Sequence, residues 1–220
     1  MFFKKEISEL TGYYSFTELK SKRQTTKILI IDDEPFNFIE PLRDLQFNIT
    51  YKQDIDNLSD ISEYNIILSD IRGVGCKFSE QFGGAFLINQ IKKNYPDKIA
   101  IIYTANDYDT SFQQFFKTAD FVIEKGTSIE SWTNIFDKAI SNLYDPVEVW
   151  KKFAENLIDA GMSTSKISKL ESCYVSSIIK NNNNKLVKIL NSSSFENYKS
   201  ILDNLLKITD FIMKIKGTIS

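Results

Sequence analysis

The chain predicts an α/β fold: a doubly wound parallel sheet of five strands over residues 27–144, followed by an all-α region over 145–220. Three observations carry this. Five short apolar runs recur between Lys27 and Tyr144, with helical or loop-like stretches between them. Three of the runs are almost unbroken Ile, Leu, Val and Ala, the composition of strands buried on both faces. After Tyr144 the apolar residues recur every three or four positions and no strand signal remains.

The strands are KILII (27–31), FNITY (47–51), YNIILS (64–69), KIAIIY (98–103) and DFVIE (120–124). The first two crossovers are the weakest: Pro41 interrupts the helix after the first strand, and the helix near Ile55–Ser62 is short. The third crossover, 84–95, places Phe86, Leu87, Ile88 and Ile91 at helical spacing. The fourth, 109–119, offers Phe112, Phe115 and Phe116, which read as core packing. The last helix, 128–144, lines up Trp132, Ile135, Phe136, Ile140 and Leu143. Beyond it, Asp145 reads as an N-cap, Pro146 as the first helical residue, Glu148 as the partner that closes a capping box, and Gly161 as the stop. Helices follow at about 165–180, 185–190 and 193–217, with NNNN (181–184) as a loop. Residues 1–26 read as a short helical arm.

The 220 residues are enough for one ordinary domain and a smaller one. A net charge of −2 offers no overall basic field for nucleic acid or an anionic membrane, and no run approaches the ~20 apolar residues of a membrane span. The N-terminal MFFKKEISEL lacks the apolar core of a signal peptide, and two cysteines are too few for a disulfide framework, so reduced thiols in a cytoplasm are expected. Cys76 itself reads as inert. Histidine is absent, which removes His-based acid–base chemistry, His metal ligation and phosphohistidine together.

Ligands of open parallel sheets bind at the C-terminal strand ends, where strand order reverses. Those ends carry Asp32 and Asp33 after the first strand, Asp70 after the third, Thr104 after the fourth and Lys125 after the fifth. Three carboxylates meeting at one rim repel unless something offsets their charge. An oxygen-loving divalent cation such as Mg²⁺, keeping several waters, does so with two or three carboxylates. Neither tryptophan is expected near this rim.

The set IIDDEP, IILSDIR, IIYTAND and VIEKG, at these intervals, resembles the receiver domain of bacterial two-component response regulators, a flavodoxin-like fold. The resemblance covers about 27–144. It implies that Asp70 accepts a phosphoryl group, with no further enzymatic turnover than transfer to and loss from that residue. Mg²⁺ would be held by Asp32, Asp33, Asp70 and the main-chain carbonyl of Arg72. Lys125 and Thr104 would contact the phosphoryl oxygens, and the small Ala105 would keep the site open. The donor would be a sensor histidine kinase or a phosphotransfer protein.

The sequence also departs from that pattern. Gly126 stands where the family usually has proline after the lysine, and Val122, beside Phe121, where it often has an aromatic readout residue. The loop 73–84 is longer than usual and lacks the common proline.

Output must come from 145–220 or from another protein. That region holds eleven Lys, no Arg and eight carboxylates, a net of +3 without a clustered basic face. DNA reading favours arginine and such a face, and a helix-turn-helix would show a glycine-bearing tight turn. A DNA-binding transcriptional regulator is therefore the rival reading, as is a degenerate receiver that serves as a constitutive docking module. Protein contact is expected, with a downstream partner or a second copy, along an unburied stripe of Trp150, Phe153, Phe195, Tyr198, Leu202, Leu205 and Leu206.

Overall fold

The computed structural model describes residues 5–95, 97–105 and 110–217, and it divides into two compact units. Phe16–Leu143 form one; the residues before Phe16 join those from Tyr144 onward in the other. The segment expected as a single N-terminal arm, 1–26, is thus shared between the units, and its first four residues lie outside the described residues.

The first unit is built on five parallel strands: β1 (Lys27–Ile31), β2 (Asn48–Lys52), β3 (Ile66–Asp70), β4 (Ile99–Thr104) and β5 (Phe121–Glu124). Their order is β2-β1-β3-β4-β5, the doubly wound arrangement with its switch point between β1 and β3. Burial follows position. Every residue of β3 is buried, as are four of five in β1, whereas the edge strands β2 and β5 each bury only one residue.

Side chains alternate between the two faces. Leu29, Ile31, Ile67, Ala100 and Ile102 pack with Ala85, Ile88 and Ile91 of α3 (Gly83–Asn94) and with Phe112 and Phe115. The other face carries Tyr103 against Phe36 and against Trp132, a residue of α5 (Ile129–Tyr144).

The connections are shorter than the sequence suggested. Before β1 the chain makes the short helix α1 (Phe16–Ser21). Pro41 does not interrupt α2 (Ile39–Asp44); it lies in the first turn, where its missing N–H costs nothing. The second crossover is a 3-10 turn, Leu58–Ile61, closed by reciprocal bonds between Asn57 and Asp60. In place of one helix over 109–119 there are a 3-10 turn, Thr110–Phe112, and one α-turn, α4 (Gln113–Phe116). Asp109, where that helix was expected to open, lies outside the described residues.

The second unit is helical: α6 (Pro146–Asp159), α7 (Thr164–Lys180), α8 (Asn184–Leu190) and α9 (Lys199–Gly217), with 3-10 segments at Ile7–Leu10 and Ser193–Tyr198. The expected helix over 193–217 is thus a 3-10 segment followed by α9. Asp145 caps α6 through Val147 N–H (2.8 Å), but Glu148 pairs with Lys151 (2.6 Å) instead of closing a box.

The expected outward stripe is a correction. Trp150, Phe153, Phe195, Leu202 and Leu205 are buried, and Tyr198 and Leu206 are half-buried. The N-terminal residues help to explain this. Leu10 and Tyr14 are buried, Ile7 N–H donates to Glu171 (2.8 Å), and Tyr14 donates to the Ile212 carbonyl (2.9 Å). Among the described residues of this unit, the exposed large apolar ones are Ile158, Ile179 and Phe211. Among the described residues no helix is long and apolar enough to cross a membrane.

Candidate functional site

The site residues converge because parallel strands deliver their C-terminal ends to one rim. Asp32 and Asp33 follow β1, Asp70 closes β3, Thr104 closes β4 and Lys125 follows β5. One carboxylate oxygen from each of Asp32, Asp33 and Asp70 lies within 4.8 Å of the other two, so the trio sits at the β1/β3 switch point. Asp32 and Asp70 are buried, while Asp33 is exposed.

Each acid is held differently. Asp32 Oδ1 accepts the Glu34 N–H at 3.0 Å, and the Tyr51 hydroxyl pins the same loop by donating to the carbonyls of Asp32 (2.7 Å) and Glu34 (3.0 Å). Asp70 Oδ1 accepts the Ile71 N–H at 2.7 Å, and its Oδ2 accepts Lys125 Nζ at 2.7 Å. Lys125 also lies 3.5 Å from Asp32 and 3.6 Å from Glu34. Asp33, Glu34, Asp70, Arg72, Gly73, Thr104, Ala105 and Lys125 are among the residues lining a cleft of about 370 Å³. The hydroxyl of Thr104 is buried there with no hydrogen-bond partner among the described residues.

The charges interact strongly. Burial pushes the Asp32 carboxyl above the ordinary aspartate range; the Glu34 N–H and Lys125 pull it back, and Asp70 adds to the rise. Burial acts to lower the Lys125 ammonium, but its hydrogen bond to Asp70 and the charges of Asp70 and Asp32 outweigh that and hold it above the ordinary lysine value. Stability from Lys125 is complete below the unfolded lysine pKa, so it does not vary across neutral pH. Asp32 behaves oppositely. Its fold binds the proton more tightly than the unfolded chain, so its contribution falls as pH rises from the unfolded aspartate value through the folded one. Without divalent cations, Asp32→Asn should therefore raise the unfolding midpoint at pH 7 and leave it unchanged near pH 3, measured by thermal melts in EDTA. A midpoint at pH 7 equal to or below wild type would count against a strained, buried Asp32.

All five strand-end residues expected from the sequence lie at this rim, and Ala105 and Arg72 line the cleft. Val122 is 45% exposed on β5, so the position of the usual aromatic readout holds no buried side chain. Gly126 takes φ +93°, a left-handed turn that glycine adopts at little cost.

Sequence reasoning missed three supports. Gly73, at φ +72°, lets the chain pass the Asp33 carboxylate so closely that a Cβ there would fall 2.2 Å from Oδ2. Gly84 does the same for the Asp70 carbonyl, at 1.8 Å. Trp132, expected away from the rim, is one ring removed from it: its ring is 5.4 Å from that of Tyr103, which lies 5.0 Å from Lys125 Nζ. The adjacent Gly83 and Gly84 opening a helix were the one local signal of close approach.

No protein-family model matches this chain, and no curated protein sequence does. Solved structures of receiver domains resemble about half of it. The beryllofluoride-activated NtrC4 receiver domain dimer is 20% identical, with 53% of this chain and 98% of that one covered at a TM-score of 0.45. The response regulator TrrA from Thermotoga maritima, in complex with Mg²⁺-BeF, is 22% identical over 52% of this chain and 98% of that one, with a TM-score of 0.41. The receiver domain of NtrX from Brucella abortus gives 20%, 52%, 98% and 0.41.

Proposed function

We propose that residues 27–144 act as a phosphoryl-accepting signalling domain with Asp70 as the acceptor. The observation that carries the reading is the setting of the Asp70 carboxylate. It is bonded to the Lys125 ammonium, grouped with Asp32 and Asp33, and shares its cleft with a buried hydroxyl that has no partner among the described residues.

The donor set fits a hard divalent cation. It consists of oxygens: the carboxylates of Asp32, Asp33 and Asp70, with the Arg72 carbonyl, would hold Mg²⁺. When bound, the ion supplies positive charge toward oxygens of a transferring phosphoryl group.

The chain's own residues do the rest. A carboxylate oxygen of Asp70 attacks phosphorus, a new P–O bond forms, and the bond to the leaving group breaks, its electron pair departing with that group. The product is an acyl phosphate. Attack by a carboxylate oxygen leaves no nucleophile proton to remove, so the step calls for no general base, which suits a chain without histidine. Lys125 balances the charge that gathers on the phosphoryl oxygens, and the Thr104 hydroxyl donates a hydrogen bond to one of them.

A histidine kinase or phosphotransfer protein would be the physiological donor. The helical unit would carry the response by protein contact with a downstream partner or a second copy. Its exposed Ile158, Ile179 and Phe211 support that reading over DNA binding, as does the lack of an arginine-bearing basic face.

Incubation with acetyl phosphate and Mg²⁺ should add one phosphoryl group by intact mass. Asp70→Asn and EDTA should each reduce labelling to background. A wild-type chain that neither labels nor binds beryllofluoride would overturn the reading and leave a docking module that needs no phosphorylation.

A further inference from the structure

We propose that Tyr103 is a positioning residue for phosphoryl transfer: its ring face seats the Lys125 ammonium between the Asp70 and Asp32 carboxylates. The inference rests on the acceptor reading of Asp70 and adds to it what aims Lys125 at that centre.

Lys125 has little else to aim it. It lies just beyond the end of β5, followed by Gly126 at φ +93° with open space around that residue. A lysine stem carries about 2 kcal/mol of rotamer entropy, so attraction alone leaves the ammonium a choice of acids. Three are within reach: Asp70 at 2.7 Å, Asp32 at 3.5 Å and Glu34 at 3.6 Å. The Glu34 side chain is 76% exposed, so a lysine drawn to it would swing toward solvent and away from the acceptor.

Strand register places the ring where it can prevent this. Tyr103 pairs with Ile123, and Lys125 is two residues further along, so both project to the same face of the sheet. Nζ lies 5.0 Å from the ring centroid, within cation–π range. The ring is in turn fixed by its neighbours. Phe36 meets it at 5.7 Å and Trp132 at 5.4 Å, both edge-on, and the fully buried Trp132 stacks on Phe136. When a phosphoryl group occupies Asp70, that carboxylate loses an oxygen to the new bond, and the ammonium must turn to the phosphoryl oxygens. The ring seat is unchanged by that step and keeps Nζ at the centre.

Packing alone would explain an aromatic at this position equally well, so the test must separate a ring face from a space-filler. In metal-free protein, the Lys125 Cε protons, assigned with a Lys125→Arg variant, should resonate upfield through the ring current. Tyr103→Phe should keep that shift, and Tyr103→Leu should return it to the ordinary lysine position. With acetyl phosphate and Mg²⁺, Tyr103→Leu should label about tenfold more slowly while Tyr103→Phe stays within about twofold of wild type, the scale of one desolvated cation–π contact. An unshifted Cε resonance in wild type, or a Tyr103→Leu variant that labels at the wild-type rate, overturns the inference. A shifted resonance in a wild-type chain that never labels sinks the acceptor reading instead and leaves the seat standing.

Discussion

Gly84→Ala destabilises the sheet unit by about 2–3 kcal/mol, the upper range for forcing extra volume into a packed site. Helix propensity alone predicts the opposite sign. Gly84 lies in the first turn of α3, and alanine is favoured over glycine within a helix by about 1 kcal/mol. The decision rests on space. A Cβ at this position would sit 1.8 Å from the Asp70 carbonyl oxygen and 2.7 Å from both Ser69 Oγ and Val74 Cγ2. The nearest atom is backbone, so a side-chain rotation cannot relieve the contact; either α3 lifts from the sheet or the end of β3 shifts. Gly126→Ala is the control. Its φ of +93° penalises a side chain by about 1–2 kcal/mol, but nothing lies within 4 Å to collide with it. Urea unfolding distinguishes them: Gly84→Ala should lose more stability, and its phosphoryl labelling should fall as well, because the displaced atom belongs to Asp70, the proposed acceptor. A Gly84→Ala chain as stable as wild type would show that α3 does not press on Asp70.

The same close approach shows what the sequence could and could not disclose. The strands and the five polar strand ends were legible because two local rules act together: buried parallel strands are apolar throughout, and their C-terminal ends carry the ligands. Asp70 needed no knowledge of its neighbours to be found. Tyr103 did. Its hydroxyl and ring look like core residues in a strand pattern, and only the register of β4 against β5 places the ring beneath Lys125. The second and fourth crossovers were overestimated because apolar residues at helical spacing do not distinguish an α-helix from a 3-10 turn closed by its own caps, as at Asn57–Asp60. The packing of the N-terminal residues was illegible for a different reason. Leu10 and Tyr14 are buried, and Tyr14 donates to the Ile212 carbonyl, nearly the length of the chain away; no local pattern encodes such a pairing.

Arg23 poses the last of these long-range questions, and its loss has the largest expected effect on stability. The residue follows α1 and is only 4% exposed, yet it carries a guanidinium. Its guanidinium grips Asp137 of α5 with two parallel bonds, Nε to Oδ1 at 2.7 Å and Nη2 to Oδ2 at 2.5 Å. A third donor reaches the Leu45 carbonyl at 2.9 Å, and the plane lies 4.4 Å from the centre of the Phe47 ring. Removing one partner strands the other, which costs about 3–5 kcal/mol at a buried pair. Asp137→Ala should lose that much, with little change on adding salt, because the pair is shielded from ions. Replacing both residues by apolar ones, Arg23→Met with Asp137→Leu, should recover most of the loss, since neither charge is then left without its partner. A single variant within about 0.5 kcal/mol of wild type, the range of an exposed substitution, would mean the pair contributes nothing. Function separates this anchor from the Tyr103 seat. Asp137→Ala leaves the Tyr103 ring and its Trp132 contact in place, so molecules that remain folded should label at the wild-type rate. The Tyr103→Leu variant should label slowly even where it is fully folded. Stability and rate are thus expected to fall at different residues of the same helix-facing surface.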